Sequence, residues 1–343
     1  MKIPWALSLS CALLVLTAAG ASAQKYTVTD LGVLAGNISN AVAINDSGQV
    51  VGGSYINKQT SVYHAFLWTS TGGMKDLGTL GGHNSFAEGI NNAGQVVGCA
   101  DLNSSTSHAF LWTQSDGMRD LGSLGGSSCA FGINDSGQVI GVTGVNNDVG
   151  SHVFVWSAST GMQDIDVPAS SNTVGASIND SGEAVGTYYD SHTGYHAFLW
   201  TQSSGRTDLG NLGQPYATAG SINSYGEVVG RSEALPNTTV AYLWTPQGGM
   251  RGLPSPAKSV DATANAVSSR GVIVGFVVNQ SAQQRATIWP NPTTVHDLNT
   301  LTVNSSIILL MANGVNRSGQ VVGVGRLKVN AAEAHAFLAT PTK

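Results

Sequence analysis

Apolar residues along this chain alternate with polar or small ones in short runs, and they do not recur at a helical period. The run Phe86-Ala87-Glu88-Gly89-Ile90 is followed by Asn91-Asn92-Ala93-Gly94, then by Gln95-Val96-Val97-Gly98 and, after a longer loop, by His108-Ala109-Phe110-Leu111-Trp112. Period-two alternation in short segments predicts strands. The Asn-x-x-Gly between the first two runs predicts a tight hairpin, because Asn can hydrogen-bond its own backbone and Gly can take positive φ. A Gly-containing turn leads to Met118-Arg119-Asp120-Leu121-Gly122, so the unit reads as four antiparallel strands.

The unit recurs. Aligned on the Gly that ends its second strand, the copies fall at Gly52, Gly98, Gly141, Gly186, Gly230, Gly275 and Gly323, a spacing of roughly 44 residues that suits propeller blades. The turn Asn is Asn45, Asn91, Asn134, Asn179, Asn223 and Asn316, with Ser268 in the sixth copy. The ends of the chain are complementary. Tyr26-Thr27-Val28-Thr29-Asp30-Leu31-Gly32 is an extra fourth-strand phrase, and the last copy stops at Pro341-Thr342-Lys343, after its third strand. The expectation is an all-β, seven-bladed β-propeller of four-stranded antiparallel blades, closed by the N-terminal strand completing the last blade and removing both free edges. A linear solenoid would want polar caps instead, and an outer-membrane barrel would want strands of about 9 to 11 residues, twice the length found.

Composition agrees. Of 343 residues 43 are Gly and only 10% are charged, which suits short strands and tight turns better than amphipathic helices. A net charge of -5 with 15 Lys plus Arg leaves no basic face for nucleic acid. Residues 1–23 read as a secretory signal peptide, with Lys2, the apolar stretch Ala6 to Ala18, and Ala21-Ser22-Ala23 before a cut at Gln24. Residues 24–343 then form a single exported propeller domain, extracellular or periplasmic and not membrane-spanning.

The phrases His64-Ala65-Phe66-Leu67-Trp68, His108-Ala109-Phe110, His196-Ala197-Phe198 and His335-Ala336-Phe337 occur with Asp-Leu-Gly-x-Leu-Gly-Gly and Ile-Asn-x-x-Gly-Gln-Val-Val-Gly around them. In these the chain resembles the HAF family of extracellular bacterial repeat proteins over its whole mature length. Val240 and Arg285 replace the His in the fifth and sixth copies, and Asp164-Ile165-Asp166 replaces Asp-Leu-Gly. The resemblance implies export and repetition and carries no catalytic residues.

Repetition itself argues against a site at the commonest residues. His64, His108, His152, His196 and His335 stand one per blade, too far apart to share an ion at about 2.1 Å. A structural hydrogen bond to a strand-four Asp such as Asp76 or Asp120 is the expectation. No cofactor or metal motif is present; the Asn-Asp-Ser-Gly turns lack alternating acidic calcium ligands. Cys99 and Cys129 fall in neighbouring copies, where a disulfide is sterically feasible and two separate thiols are the plainer expectation.

The copies differ in the loops between strands two and three and between strand four and the next unit, which share one face if strand one is innermost. These loops carry the candidate ligand residues Tyr55, Tyr63, His83, Asn84, Tyr188, Tyr189, Tyr195, Tyr216 and Arg231, with His192 nearby. Tyr offers area at low entropy cost and a polar tip, suited to glycan or protein contact. The leading expectation is therefore a non-catalytic binding propeller for a glycan or surface protein. A second is a polysaccharide-acting hydrolase or lyase using carboxylates unique to their copies, Glu88, Asp101, Asp190, Glu233 and Asp261. A third is a structural envelope or matrix protein.

Overall fold

The computed structural model describes residues 23–59, 61–145, 150–165, 173–236 and 238–342. The expected leader, apart from Ala23, and Asp166 lie outside the described residues. What is described is all β except for one 3-10 turn, Leu298–Leu301. In the second repeat the strands Ser85–Ile90, Val96–Asp101, Ser107–Thr113 and Gly117–Asp120 pair antiparallel in chain order, with Phe86 opposite Cys99, Gly98 opposite Phe110 and Phe110 opposite Asp120. Residues 39–76, 125–164, 174–208, 217–252 and 259–297 follow the same order, the last two sheets touching through one parallel bridge at Thr239 and Asp261. The strands Ile307–Val315, Val321–Leu327 and Ala334–Pro341 take their fourth strand from the other end of the chain. Tyr26–Asp30 lies antiparallel to Ala334–Pro341, Tyr26 opposite Pro341 and Asp30 opposite Phe337.

Strand one carries a bulge in each hairpin, between Ala87 and Gly89 in the second repeat. The extra residue pushes its backbone toward the partner strand. A Cβ added to Gly98 would run into the Phe86 carbonyl oxygen, which is the physical reason that Val-Val-Gly ends in Gly.

The core lies between sheets. Phe110 and Trp112 of the second repeat pack against Val51, Ala65 and Leu67 of the first. On the opposite face, Ala109 and Leu111 pack against Phe154 and Trp156 of the third. Val322, Ala336 and Leu338 of the last repeat pack with Ala41, Val50 and Phe66 of the first. Both large positions of strand three serve as anchors: Trp112, Trp156 and Trp289 are buried, and in most units so is the aromatic two positions earlier. Phe66, Phe110, Phe154, Phe337 and Tyr242 are completely buried, whereas Trp68, Trp200 and Trp244 keep some exposure. Full burial of one such ring contributes about 1.5–3 kcal/mol.

The most repeated phrase clamps one sheet to the next. Asn91 is buried; its Oδ1 accepts from the Gln95 backbone N–H, and its Nδ2 donates both to Gln95 Oε1 at 2.8 Å and to the Asn134 carbonyl at 3.0 Å. The same donation to the next repeat runs from Asn45, Asn134, Asn179 and Asn223, and from Asn316 back to Asn45. Backbone N–H groups one residue on make a parallel set, Asn92 to Asp135 Oδ1, Asp135 to Asp180 Oδ1 and Arg317 to Asp46 Oδ1. Buried amides with every donor used fix the stacking of the sheets.

The strand-three His is structural too. Nδ1 of His64, His108, His152 and His196 lies 2.8, 2.9, 2.8 and 2.8 Å from Asp76, Asp120, Asp164 and Asp208. Asp76, Asp120 and Asp208 also accept from the backbone N–H two residues on, at Gly78, Gly122 and Gly210. Asp76, Asp120 and Asp208 therefore tie strand three to the turn that leaves strand four.

Candidate ligand cavity

Strand one is innermost. Three residues before the hairpin Asn, the bulged position of every repeat faces a common central channel, and it is occupied by Val42, Glu88, Phe131, Ala176, Gly220, Asn265 and Asn313. The channel encloses about 660 Å³, and among the described residues that line it Glu88 is the one ionisable group. At the hairpin end it meets Asn45, Asn91, Asn134, Asn179, Asn223 and Asn316.

At the opposite end, over the first three repeats, the channel wall opens into a cavity of about 740 Å³. Its lining includes Tyr55, Tyr63, Asn84, Phe86, Glu88, Cys99, Asp101 and Cys129. Three of the expected ligand residues, Tyr55, Tyr63 and Asn84, thus converge, and they do so because the ends of strands two and the starts of strands three and one meet on this face. The Tyr63 ring stands edge-on to Phe86 with centroids 5.9 Å apart, and Tyr55 lies 6.5 Å from Tyr63.

The two carboxylates have opposite environments. Asp101 is partly desolvated, which raises its pKa, but hydrogen bonds outweigh this and hold it below the usual range: Ser107 Oγ donates at 2.6 Å and Asn84 Nδ2 at 2.8 Å, with the Asn84 N–H and the charge of His83 adding to the effect. Its role is to hold Asn84, whose Oδ1 accepts the Tyr63 N–H at 3.3 Å. Among the described residues no group donates a hydrogen bond to Glu88 and no cation lies beside it, and burial pushes its pKa up to about 7. Burial, then Asp101, Tyr55 and Glu88, push the Tyr63 phenol upward, which places that hydroxyl within electrostatic reach of both carboxylates.

The other expected residues lie elsewhere. His83 is exposed on the rim beside Asp101. Tyr189, Tyr195 and Tyr216 form a separate aromatic run over the fourth and fifth repeats, with centroids 4.9 and 5.5 Å apart, and Arg231 donates to the Tyr216 hydroxyl at 2.7 Å. Tyr188 is spent within its own sheet, stacked on His196 at 4.9 Å, covered by Arg206 and donating to Asp208 Oδ2. Of the remaining unique carboxylates, Asp190 caps a turn through the N–H groups of His192 and Thr193, and Asp261 accepts from Thr239. Neither they nor Glu233 reach the cavity. Phe86 is the lining residue that the loops did not reveal, since it lies inside a strand; its signal was that Asn40, Cys129 and Val174 stand there in neighbouring copies.

The expectation of two separate thiols gives way: Cys99 and Cys129 form a disulfide, Cα atoms 4.7 Å apart, that joins the second repeat to the third across the cavity wall. The chain brings strand one of each repeat against the preceding sheet, which is what puts two cysteines 30 residues apart in contact. No group of three or more His, Cys, Asp or Glu placed to hold a metal ion occurs among the described residues, and no helix there is long and apolar enough to cross a membrane.

No family model matches the chain and no curated protein matches its sequence. Solved structures match its fold. The β-propeller domain of the Trilobed protease from Pyrococcus furiosus, described as having an open velcro topology, aligns at a TM-score of 0.60 and 7% identity over 93% of this chain and 97% of its own. Virginiamycin B lyase from Staphylococcus aureus aligns at 0.54 and 9% identity over 93% and 100%. Puromycin hydrolase in complex with PGG aligns at 0.57 and 14% identity over 83% of this chain and 50% of its own, so the chain spans about half the length of that enzyme. At such identities the likeness establishes the fold alone: the chain is a β-propeller, a frame that hosts enzymes and binders alike.

Proposed function

We propose that this chain is an exported, seven-bladed propeller, closed into a ring by its own N-terminal strand, that binds a glycan in the cavity over its first three blades. Closure is supported by the pairing of Tyr26–Asp30 with Ala334–Pro341 and by the Asn316 to Asn45 hydrogen bond. The resemblance of its phrases to the HAF repeats, together with the disulfide, supports export.

The observation that carries the binding reading is the convergence of Tyr55, Tyr63 and Phe86 with Asn84 and two carboxylates in one cavity of about 740 Å³. Ring faces beside a few fixed polar groups suit the apolar face and hydroxyl rim of a sugar. Screening the purified protein against an array of bacterial and plant oligosaccharides, followed by titration of hits against Tyr63→Ala and Asn84→Ala, tests it. A hit weakened at least tenfold by either change supports the reading; a protein that retains no saccharide sinks it.

A second reading, cleavage of the bound glycan, is favoured by one feature. Glu88 and Asp101 line the same cavity with protonation pushed in opposite directions, the arrangement used for an acid and its charged partner. Release of new reducing ends or unsaturated products from a bound oligosaccharide, lost in Glu88→Gln, would establish it.

A further inference from the structure

The cavity and channel share one carboxyl group, Glu88, that the described residues leave without a hydrogen bond. Asp101 is occupied by Ser107 and Asn84, whereas Glu88, on the wall shared by both spaces, accepts no hydrogen bond from the described residues. Among the described residues no Lys, Arg or His lines either space. An isolated carboxylate in such a wall costs folding free energy unless something neutralises it, and the aromatic residues Phe86 and Tyr63, of a type that attracts cations, line the same cavity.

We infer that Glu88 is the anchor for a cationic group on the ligand, so that the glycan proposed for this cavity is one bearing a protonated amine, as a de-acetylated amino sugar does. The inference rests on the glycan reading for the sugar and on Glu88 for the charge. Anionic sugars are disfavoured by the same lining, which holds two carboxyl groups and, among the described residues, no Lys, Arg or His.

Binding would also move a proton. The titratable groups facing Glu88 are Tyr63, kept protonated by burial, Asp101, kept ionised by its donors, and Tyr55; the rest of the channel wall contributes none. Near pH 7 the free protein holds Glu88 partly as the neutral acid. An ammonium group arriving beside it favours the carboxylate, so the carboxylic O–H bond breaks and its proton leaves to solvent as the ion pair forms.

Isothermal titration calorimetry at pH 7, in two buffers of different ionisation enthalpy, provides the test with three probes: a glucosamine trisaccharide, its N-acetylated counterpart and benzylamine. The amino trisaccharide is expected to bind at least tenfold more tightly than the acetylated one, with net proton release, and Glu88→Gln to abolish both the preference and the release. Glu88 receives no hydrogen bond from the described residues, so this variant should melt no lower than the parent. Equal affinity for the two sugars, or a preference that survives in Glu88→Gln, overturns the inference while leaving the glycan reading intact. Glu88-dependent binding of benzylamine without binding of either sugar supports the cation anchor and overturns the glycan reading. Failure of all three probes overturns both.

Discussion

His335 and Asp30, 305 residues apart in the chain, are joined by a hydrogen bond of 2.9 Å from His335 Nδ1 to Asp30 Oδ1. The contact reproduces the bond that His64, His108, His152 and His196 each make twelve residues along their own repeat. The first strand therefore occupies the last sheet in the same way that a local fourth strand occupies every other. Asp30→Ala removes this bond and the one from the Gly32 N–H, and should cost about 1–2 kcal/mol in urea denaturation. Asp120→Ala, which removes the matching pair, should cost the same. Deleting residues 24–31 should be far more damaging, because it exposes the edge of Ala334–Pro341. A deletion no worse than Asp30→Ala would show that the terminal strand contributes little.

The clamp between repeats has one missing link. Ser268 replaces the hairpin Asn and Val272 replaces the Gln or Glu that satisfies its second amide hydrogen elsewhere, as Gln95 does for Asn91. Ser268→Asn alone should be near neutral, since one buried donor would lack a partner. Ser268→Asn with Val272→Gln should stabilise by about 1 kcal/mol, read as a higher midpoint in chemical denaturation; a double variant no more stable than the single one would contradict the account.

Tyr242 stands where most other repeats have Phe, is fully buried, and its hydroxyl has no hydrogen-bond partner. Burial raises its pKa above the usual phenol value. Tyr242→Phe removes an unsatisfied polar atom and leaves the ring, so stability should rise by about 1–2 kcal/mol. A loss of stability would point to a bridging water at that oxygen.

Glu88 makes stability depend on pH with a definite sign. Burial raises its folded pKa to about 7 from 4.5, so the folded state binds the proton more tightly than the unfolded one. Its contribution is fully present below about pH 4.5 and is lost as pH rises through 7, amounting to roughly 3 kcal/mol at most. Glu88→Gln should flatten this slope and be more stable than the parent at pH 8. Identical pH profiles for the two proteins would place the carboxylate in water.

The Cys99–Cys129 bond closes a 30-residue separation, for which chain entropy predicts about 3–4 kcal/mol of stabilisation. Replacing both residues by Ala should lower stability by up to that amount. Ligand affinity should fall as well, because both positions line the cavity. A variant of unchanged stability would mean that the bond adds no constraint to the unfolded chain.

The sequence by itself determined the repeat, its four strands, its tight Asn-Gly hairpins and the complementarity of the two ends. Each of these is written in local chemistry: period-two alternation, turn residues and a phrase present at one terminus and missing at the other. It also marked the His and the hairpin Asn as structural, since a group repeated in every copy serves what every copy shares. Only the tertiary structure decided which of the variable residues meet. Tyr55, Tyr63 and Asn84 come from two repeats and converge, while Tyr195, Tyr216 and Arg231 share their chemistry and lie over other sheets. The same holds for the carboxylates, where Asp101 and Asp190 look alike in sequence but one faces a cavity and the other caps a turn. The reason is that stacking sheets brings together side chains roughly one repeat apart, at angles and depths set by packing between neighbours, and no pattern within a single repeat encodes which faces of its neighbours will be left open.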